Sequence, residues 1–344
     1  MPALRRLLLV LLLPLLLVVG ACSRNESTYR IQGDVFGTVV DVSIYGETEE
    51  RANQLGERVM EEFGRLHNKF HAWKPSQLTA LNDAISRGVP YQADAEMVDL
   101  LKAATRLAEE SDHYFNPAIG RLIRLWGFQT SDIKPQAPDP DELKRLIAAR
   151  PRMSDLVFDG TTISSRNRDV MLDLGGYAKG YALDRAARIL RAEGVQAALI
   201  NVGGNLLAVG RPGKRHWTVG IQDPRGDGLI ATVELKDNEA VGTSGDYQRF
   251  YMKNGKRFPH IIDPHTGETT NKVAAVTIIT SGGEDAGTRS DGYTKPLFVA
   301  GPEKWQAMAE RLGLREVMLI DGNRNVVMTP AMRERLASAR SQNG

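Results

Sequence analysis

Thiol chemistry is nearly absent from this chain, because Cys22 is the only cysteine among 344 residues. That excludes a disulfide framework, a cysteine-ligated zinc site and a thiolate nucleophile in the body of the protein. Aromatic residues make up only 6% of the sequence, and the net charge is +2, with no Lys/Arg cluster interleaved with rings. Such a chain lacks the electrostatic footprint of a nucleic-acid binder, so nucleic acid is not an expected partner. His67, His71, His216 and His265 have no metal-ligand spacing, and neither GxSxG nor HExxH occurs. What remains is ordinary globular material, 42% hydrophobic and 25% charged, long enough for one large core or two smaller ones.

The longest apolar run is N-terminal. Arg5 and Arg6 precede an apolar stretch at 7–19, and Val19-Gly20-Ala21-Cys22 then places small residues before the cysteine. The run is too short for a membrane span and has the layout of an export signal. The pattern matches a bacterial lipobox. Residues 1–21 are therefore expected to be a lipoprotein signal peptide, with lipidation at Cys22 and a polar tether over 22–29. The main domain is expected over 30–335, followed by a polar tail at 336–344. An exported bacterial lipoprotein on the periplasmic side, tethered to a membrane surface, is expected, and Ser23 and Arg24 do not decide between inner and outer membrane.

Within the domain, alternation at 39–45 predicts a strand. Leu55, Val59, Phe63, Leu66 and Phe70 recur at three-to-four spacing and predict a helix over 48–70. Asp94 is a plausible N-cap for a second helix ending near 110, and a third is expected at 117–126. A Pro-rich turn at 132–140 leads into a short helix ending at 149. Further on, strands are expected at 157–164, 170–174, 198–202, 216–222, 230–235 and 275–280, with helices at 177–193 and 302–312 between and after them. The class is α+β, one catalytic unit of two lobes.

The most informative stretch is DLGGYAKGYALD at 173–184. A β-type run ends in Gly175 and Gly176, which allow close approach that a Cβ forbids. A helix N-terminus follows, with Lys179 as a mobile charge and Asp173 as an acceptor or metal ligand. These parts suit a phosphate-containing ligand such as a nucleotide, and equally a tight strand–helix turn with a solvated lysine. Residues 241–247 form a hydroxyl- and Gly-rich turn, fit for polar ligand contacts or a hairpin. The stretch HIIDPHTG at 260–267 sets His260 three residues before Asp263, a base with its orienter, a base beside a metal ligand, or a capped strand end. Glu284, Asp285 and Asp291 suit a hard cation, although a solvated loop explains them as well. Rings at 70–73 and 113–116 could stack on a planar ligand or simply pack in the core.

Taken in order, these segments resemble the bacterial FAD:protein FMN transferases, the ApbE-like flavin transferase family. Phe36-Gly37-Thr38, the segment from Trp73 through Ser76 to Asn82, and Tyr114-Phe115-Asn116 with LWGF at 125–128 are collinear with that pattern. So are 173–184, NVGG at 201–204, TSG at 243–245 and 260–267. The resemblance implies an ApbE-like, T-fold-like mixed sheet with packed helices. It implies FAD as substrate, with Mg²⁺ on its pyrophosphate. A Thr or Ser hydroxyl of an acceptor attacks the FMN phosphorus, AMP leaves, and FMN remains in phosphoester linkage. The implied acceptors are exported domains of Rnf-type or Na⁺-translocating quinone reductase complexes or related respiratory proteins.

By the same resemblance, Phe36, Trp73, Tyr114, Phe115, Asn116, Asp173, Lys179 and Ile262 contact the flavin nucleotide. His260 is the candidate general base, its ordinary pKa near working pH. The Gly176 carbonyl and the Asp291 carboxylate hold the metal, which makes Asp291 a catalytic candidate too. Three positions depart from the pattern: Phe36 stands for Met, Asn116 for a common Asp, and Lys295 for a metal-holding Thr. Either Lys295 takes over part of the metal's role, or Thr294 moves in, or Mg²⁺ has fewer protein ligands. An FAD pyrophosphatase and a non-catalytic flavin-binding lipoprotein are the competing readings.

Overall fold

A computed structural model describes residues 26–130 and 132–341. The expected signal peptide and Cys22 lie outside the described residues. The fold begins with an antiparallel pair, β1 (Thr28–Val35) and β2 (Thr38–Tyr45), so Thr28 and Tyr29 belong to a strand and not to the tether. Helix α1 (Glu49–Lys69) starts at Thr48, whose hydroxyl accepts from the Arg51 N–H. Its stripe of Leu55, Val59, Phe63 and Leu66 is buried, as the spacing predicts. Helix α2 (Gln77–Arg87) is an addition to the expected elements, begun by a reciprocal Ser76–Thr79 capping box and ended by left-handed Gly88.

Strand β3 (Tyr91–Gln92) precedes α3 (Ala95–Glu110), which Asp94 caps by accepting from the Met97 N–H. Helix α4 (Gly120–Leu125) is shorter than expected because 117–119 is extended: Ile119 bridges Met171, and the Pro117 carbonyl accepts from the Asp173 N–H at 2.8 Å. The strand expected at 170–174 is accordingly an extended segment tied to 117–119. Helix α5 (Pro140–Ala149) opens at Asp139 with proline in its first turn. The single strand expected at 157–164 is a hairpin of β4 (Leu156–Asp159) and β5 (Thr162–Ser165).

Helix α6 (Ala178–Ala192) leads to β6 (Ala197–Val202), β7 (Asn205–Gly210), β8 (Trp217–Gln222), β9 (Leu229–Leu235) and β10 (Glu239–Gly245). The hairpin of β11 (Phe250–Lys253) and β12 (Lys256–Pro259) precedes β13 (Val273–Ser281) and α7 (Ala286–Arg311), which kinks at Gly301. The chain closes with β14 (Glu316–Asp321), β15 (Val326–Met328) and α8 (Pro330–Ser341). Two expectations change here. The hydroxyl-rich turn is strand β10, paired on both sides with β7 and β13. The loop around Asp291 is the first half of α7. The polar tail also starts as helix, with Leu336 buried against the sheet.

The main sheet runs β1-β2-β6-β7-β10-β13-β14-β15. Every described strand pair is antiparallel, and the parallel element is the isolated bridge between Ile119 and Met171. Side chains alternate across its faces. Val42, Ile200, Ile278 and Leu319 meet the helices α1, α6 and α7 in the largest core. Ala197, Val241, Ile279 and Met318 meet the β8–β9 hairpin and α8 on the opposite face. A third cluster joins α4, α5 and the β11–β12 hairpin through Trp126, Phe128, Leu146, Tyr251 and Ile262.

Candidate active site

Asp173 is fixed from two directions. The Asn82 side chain clamps the preceding residue, accepting from the Leu172 N–H at 2.7 Å and donating to the Leu172 carbonyl at 3.0 Å. The carboxylate then accepts from the Gly175 N–H at 2.7 Å and the Trp73 indole N–H at 2.9 Å. Burial raises its pKa, and these two donors together with Arg249 act against that rise. Neither Gly175 nor Gly176 has a positive φ. Gly176 provides room instead, since a Cβ there would lie 3.3 Å from Lys295 Cε.

The second group is built where α6 crosses α7. The buried Asp184 carboxylate accepts from the N–H groups of Gly287 and Thr288, both at 2.7 Å, and from the Thr288 hydroxyl, which holds the first turn of α7. One turn further on, Asp291 is buried. One of its carboxylate oxygens accepts from the Gly180 N–H at 3.0 Å, and the other is in direct contact with the Lys295 ammonium. Lys295 Nζ also donates to the Asp291 carbonyl at 2.7 Å. The Thr294 hydroxyl is turned away, bound to the Asp291 carbonyl and Ser244, both at 2.7 Å. Burial alone would raise the Asp291 pKa, but Lys295 and Lys179 hold it below the usual range. Burial pushes Lys295 down to about 8 against the pull of Asp291.

His260 faces these groups from the end of β12. Its Nδ1 lies 3.1 Å from the Arg249 carbonyl. A carbonyl only accepts, so Nδ1 carries the proton and Nε2 presents the lone pair. Arg249 is a site residue with no sequence signal, one arginine in a hairpin arm. Its guanidinium is anchored on the carbonyls of Phe128 and Thr130 at 2.6 and 2.9 Å. Burial first, and then the cations of Arg249, Lys179 and Lys295, push the His260 pKa down to about 3. The expected ordinary value is thereby corrected: the ring is neutral at working pH because burial, and after it three cations, oppose its charging.

A pH prediction follows from that shift. In the free protein the His260 ring protons should show no NMR titration between pH 7 and 5, and bound pyrophosphate should move the midpoint upward. A midpoint near 6.5 without ligand would contradict the arrangement. The unfolded chain takes up this proton first on acidification. His260 therefore subtracts stability as pH falls from 6.5 toward about 3, and has no such effect above that window.

The expected ring contacts divide. Phe36 and His67 line a groove of about 460 Å³ with Asp34, Gly37 and Asn68. Edge-on contacts run from Phe36 to His67 and from His67 to His71, whose Nδ1 accepts from the Trp73 N–H. Tyr114 is half-buried, its ring 4.6 Å from that of His265. Phe115 and Ile262 are core residues, at 4% and 5% exposure. Asn116 is buried with both amide atoms engaged, donating to the Pro151 carbonyl and accepting from the Ala118 N–H. A carboxylate could not make the first bond, which accounts for asparagine at this position.

The donor set does not fit a protein-held divalent ion. Among the described residues no three His, Cys, Asp or Glu side chains converge on a metal position. Both oxygens of Asp291 are engaged, one of them by an ammonium, and the Thr294 hydroxyl is tied to Ser244. Lys295 thus stands against Asp291 and Gly176 as a cation rather than as a metal ligand. What the site offers is an excess of positive charge: Lys179, Lys295 and Arg249 around Asp173 and Asp291, with a neutral imidazole among them.

Comparison with known proteins places the chain as a whole. A relative from Rhodobacter capsulatus named FAD:protein FMN transferase is 39% identical over 303 residues, covering 88% of this chain. The chain spans 57% of that relative's length. A Klebsiella pneumoniae protein of the same name is 31% identical, with 84% of this chain and 83% of the relative covered. The crystal structure of an ApbE protein from Thermotoga maritima superposes with a TM-score of 0.82 at 30% identity, covering 90% of this chain and 99% of its own. The apo flavinyl transferase ApbE of Pseudomonas stutzeri gives 0.78 at 28% identity, covering 90% and 97%. The ApbE family profile matches residues 36–319, which include every one of these cleft side chains, and the chain belongs to the ApbE family.

Proposed function

We propose that this protein transfers FMN from FAD to a Thr or Ser hydroxyl of an exported acceptor domain, releasing AMP. The observation that carries this reading is the pairing of a neutral His260, its Nε2 lone pair free of the Arg249 hydrogen bond, with a cleft of excess positive charge. A pyrophosphate needs that charge, and an attacking hydroxyl needs that base. The names carried by the relatives support the same reading.

In this reading the acceptor hydroxyl gives its proton to His260 Nε2 while its oxygen bonds to the FMN phosphorus. The bond from that phosphorus to the bridging oxygen breaks, and AMP departs with the bonding pair. Imidazolium is disfavoured in the free cleft, so the base charges only when the substrate's negative charge is present. The flavin lies along Phe36, Trp73 and Tyr114, and Asp173 and Lys179 hold polar parts of the nucleotide. The expected Mg²⁺ is assigned no protein site. Lipidation at Cys22 anchors the enzyme on the periplasmic side of the inner membrane, within reach of acceptor domains of respiratory complexes such as the Rnf type.

The test is incubation of the purified protein with FAD and an exported flavoprotein domain carrying a candidate acceptor threonine. An acceptor mass increase of one FMN moiety with equimolar AMP is expected. AMP and FMN release with every acceptor left unmodified would identify a pyrophosphatase. Bound FAD without AMP would identify a carrier, and either result would end the transferase reading.

A further inference from the structure

Asp291 and Lys295 are one turn apart on α7, so their side chains share a face. The Lys295 ammonium is held at three points. It contacts the Asp291 carboxylate, donates to the Asp291 carbonyl at 2.7 Å, and its aliphatic arm lies against Gly176, where a Cβ would come within 3.3 Å of Cε. Such an ammonium is not a mobile surface charge, since its side chain is 17% exposed and its partner 1%. It also occupies the Asp291 carboxylate oxygen left free by the Gly180 N–H, which a divalent ion between Gly176 and Asp291 would need. Two cations on one carboxylate repel each other strongly in a partly desolvated cleft.

We propose that the Lys295 ammonium is a built-in cation that receives the substrate pyrophosphate, and that this chain has no tight divalent-metal site of its own. The proposal rests on the flavin-transfer reading for the identity of the anion, but its metal clause stands independently. Asp291 serves as the counter-ion that keeps Lys295 charged and aimed into the cleft, and the Gly180 N–H and Asp184 fix Asp291 in turn. Lys179, from the first turn of α6, supplies the second positive charge. An ammonium donates up to three hydrogen bonds, so Lys295 can keep both Asp291 contacts and still donate to a phosphate oxygen.

The experiment is a titration of the purified full chain with Mn²⁺, read by the loss of the free-ion electron paramagnetic resonance signal. The wild-type protein should leave the ion free at micromolar concentration. Lys295→Thr, which uncovers the Asp291 carboxylate, should gain about one bound ion per chain. Stoichiometric micromolar binding by the wild type would overturn the proposal without recourse to any variant. FAD binding, followed by quenching of flavin fluorescence in EDTA, should persist in the wild type and weaken about 10- to 100-fold in Lys295→Met, the loss expected for one charge-assisted hydrogen bond. An unchanged affinity in a folded Lys295→Met protein would equally overturn it. If FAD binds but no AMP forms under any condition, the transferase reading fails while the metal and affinity results still judge Lys295.

Discussion

Replacing His260 with alanine is expected to slow acceptor flavinylation by about 10²- to 10⁴-fold, the range for loss of a positioned general base. FAD affinity should stay nearly constant, because the ring is neutral in the free cleft and contributes no charge to anion binding. The effect therefore belongs in kcat. His260→Gln keeps a donor for the Arg249 carbonyl but offers no basic nitrogen, so it should be as slow as alanine. Should the glutamine variant recover most of the rate, the ring's role is to hold Arg249 and not to accept a proton. A loss of FAD affinity parallel to the loss of rate would point the same way. The protein-wide fold should be unaffected, since His260 is half-buried at the cleft and outside the three main cores.

Gly180→Ala should damage both stability and substrate binding. A Cβ at this position would lie 2.7 Å from Asp291 Cβ and closer still to the Gly287 carbonyl oxygen. Neither neighbour can swing aside, because Asp184 pins Gly287 and the Gly180 N–H itself holds Asp291. Helices α6 and α7 must part, and overpacking of a rigid contact costs about 3 kcal/mol or more. For a domain this size that corresponds to a fall in Tm of roughly 5 °C. FAD affinity should fall with it, because Asp291 and Lys295 move with α7. Gly64→Ala is the matched control for stability alone, because Gly64 lines the groove beside Phe36. Gly64 lies in α1 with nothing within 4 Å of its would-be Cβ. Alanine there should raise stability by up to about 1 kcal/mol through helix propensity. Equal thermal unfolding of the two variants would refute the steric argument.

These two glycines show where sequence reading stops. Both sit inside helices, and nothing local separates the one that α7 presses against from the one that faces open space. The same holds for strand β10. Its Gly, Thr and Ser content suggests a turn, yet Gly242 is there because a Cβ would collide with the Ser290 carbonyl of α7. Helix α7 itself is poorly patterned because it is buried nearly all round through its first half, so no polar face alternates with an apolar one. Arg249 left no trace at all in the sequence, since its contribution is a charge delivered through space to His260 and Asp173.

The sequence by itself determined the elements whose signals are short-range. Helices α1 and α3 follow from their apolar period and from the capping side chains of Thr48 and Asp94, and α5 from Asp139 and Pro140. It also determined the ordered motifs, and through them the family. The tertiary structure alone decided the protonation and charge of that cleft. His260 is an ordinary histidine until the fold buries it and then sets Arg249, Lys179 and Lys295 near it. Lys295 is an ordinary lysine until α7 sets it on Asp291 and against Gly176. Electrostatic energies depend on distance and burial, and neither exists until segments far apart in the chain are brought together.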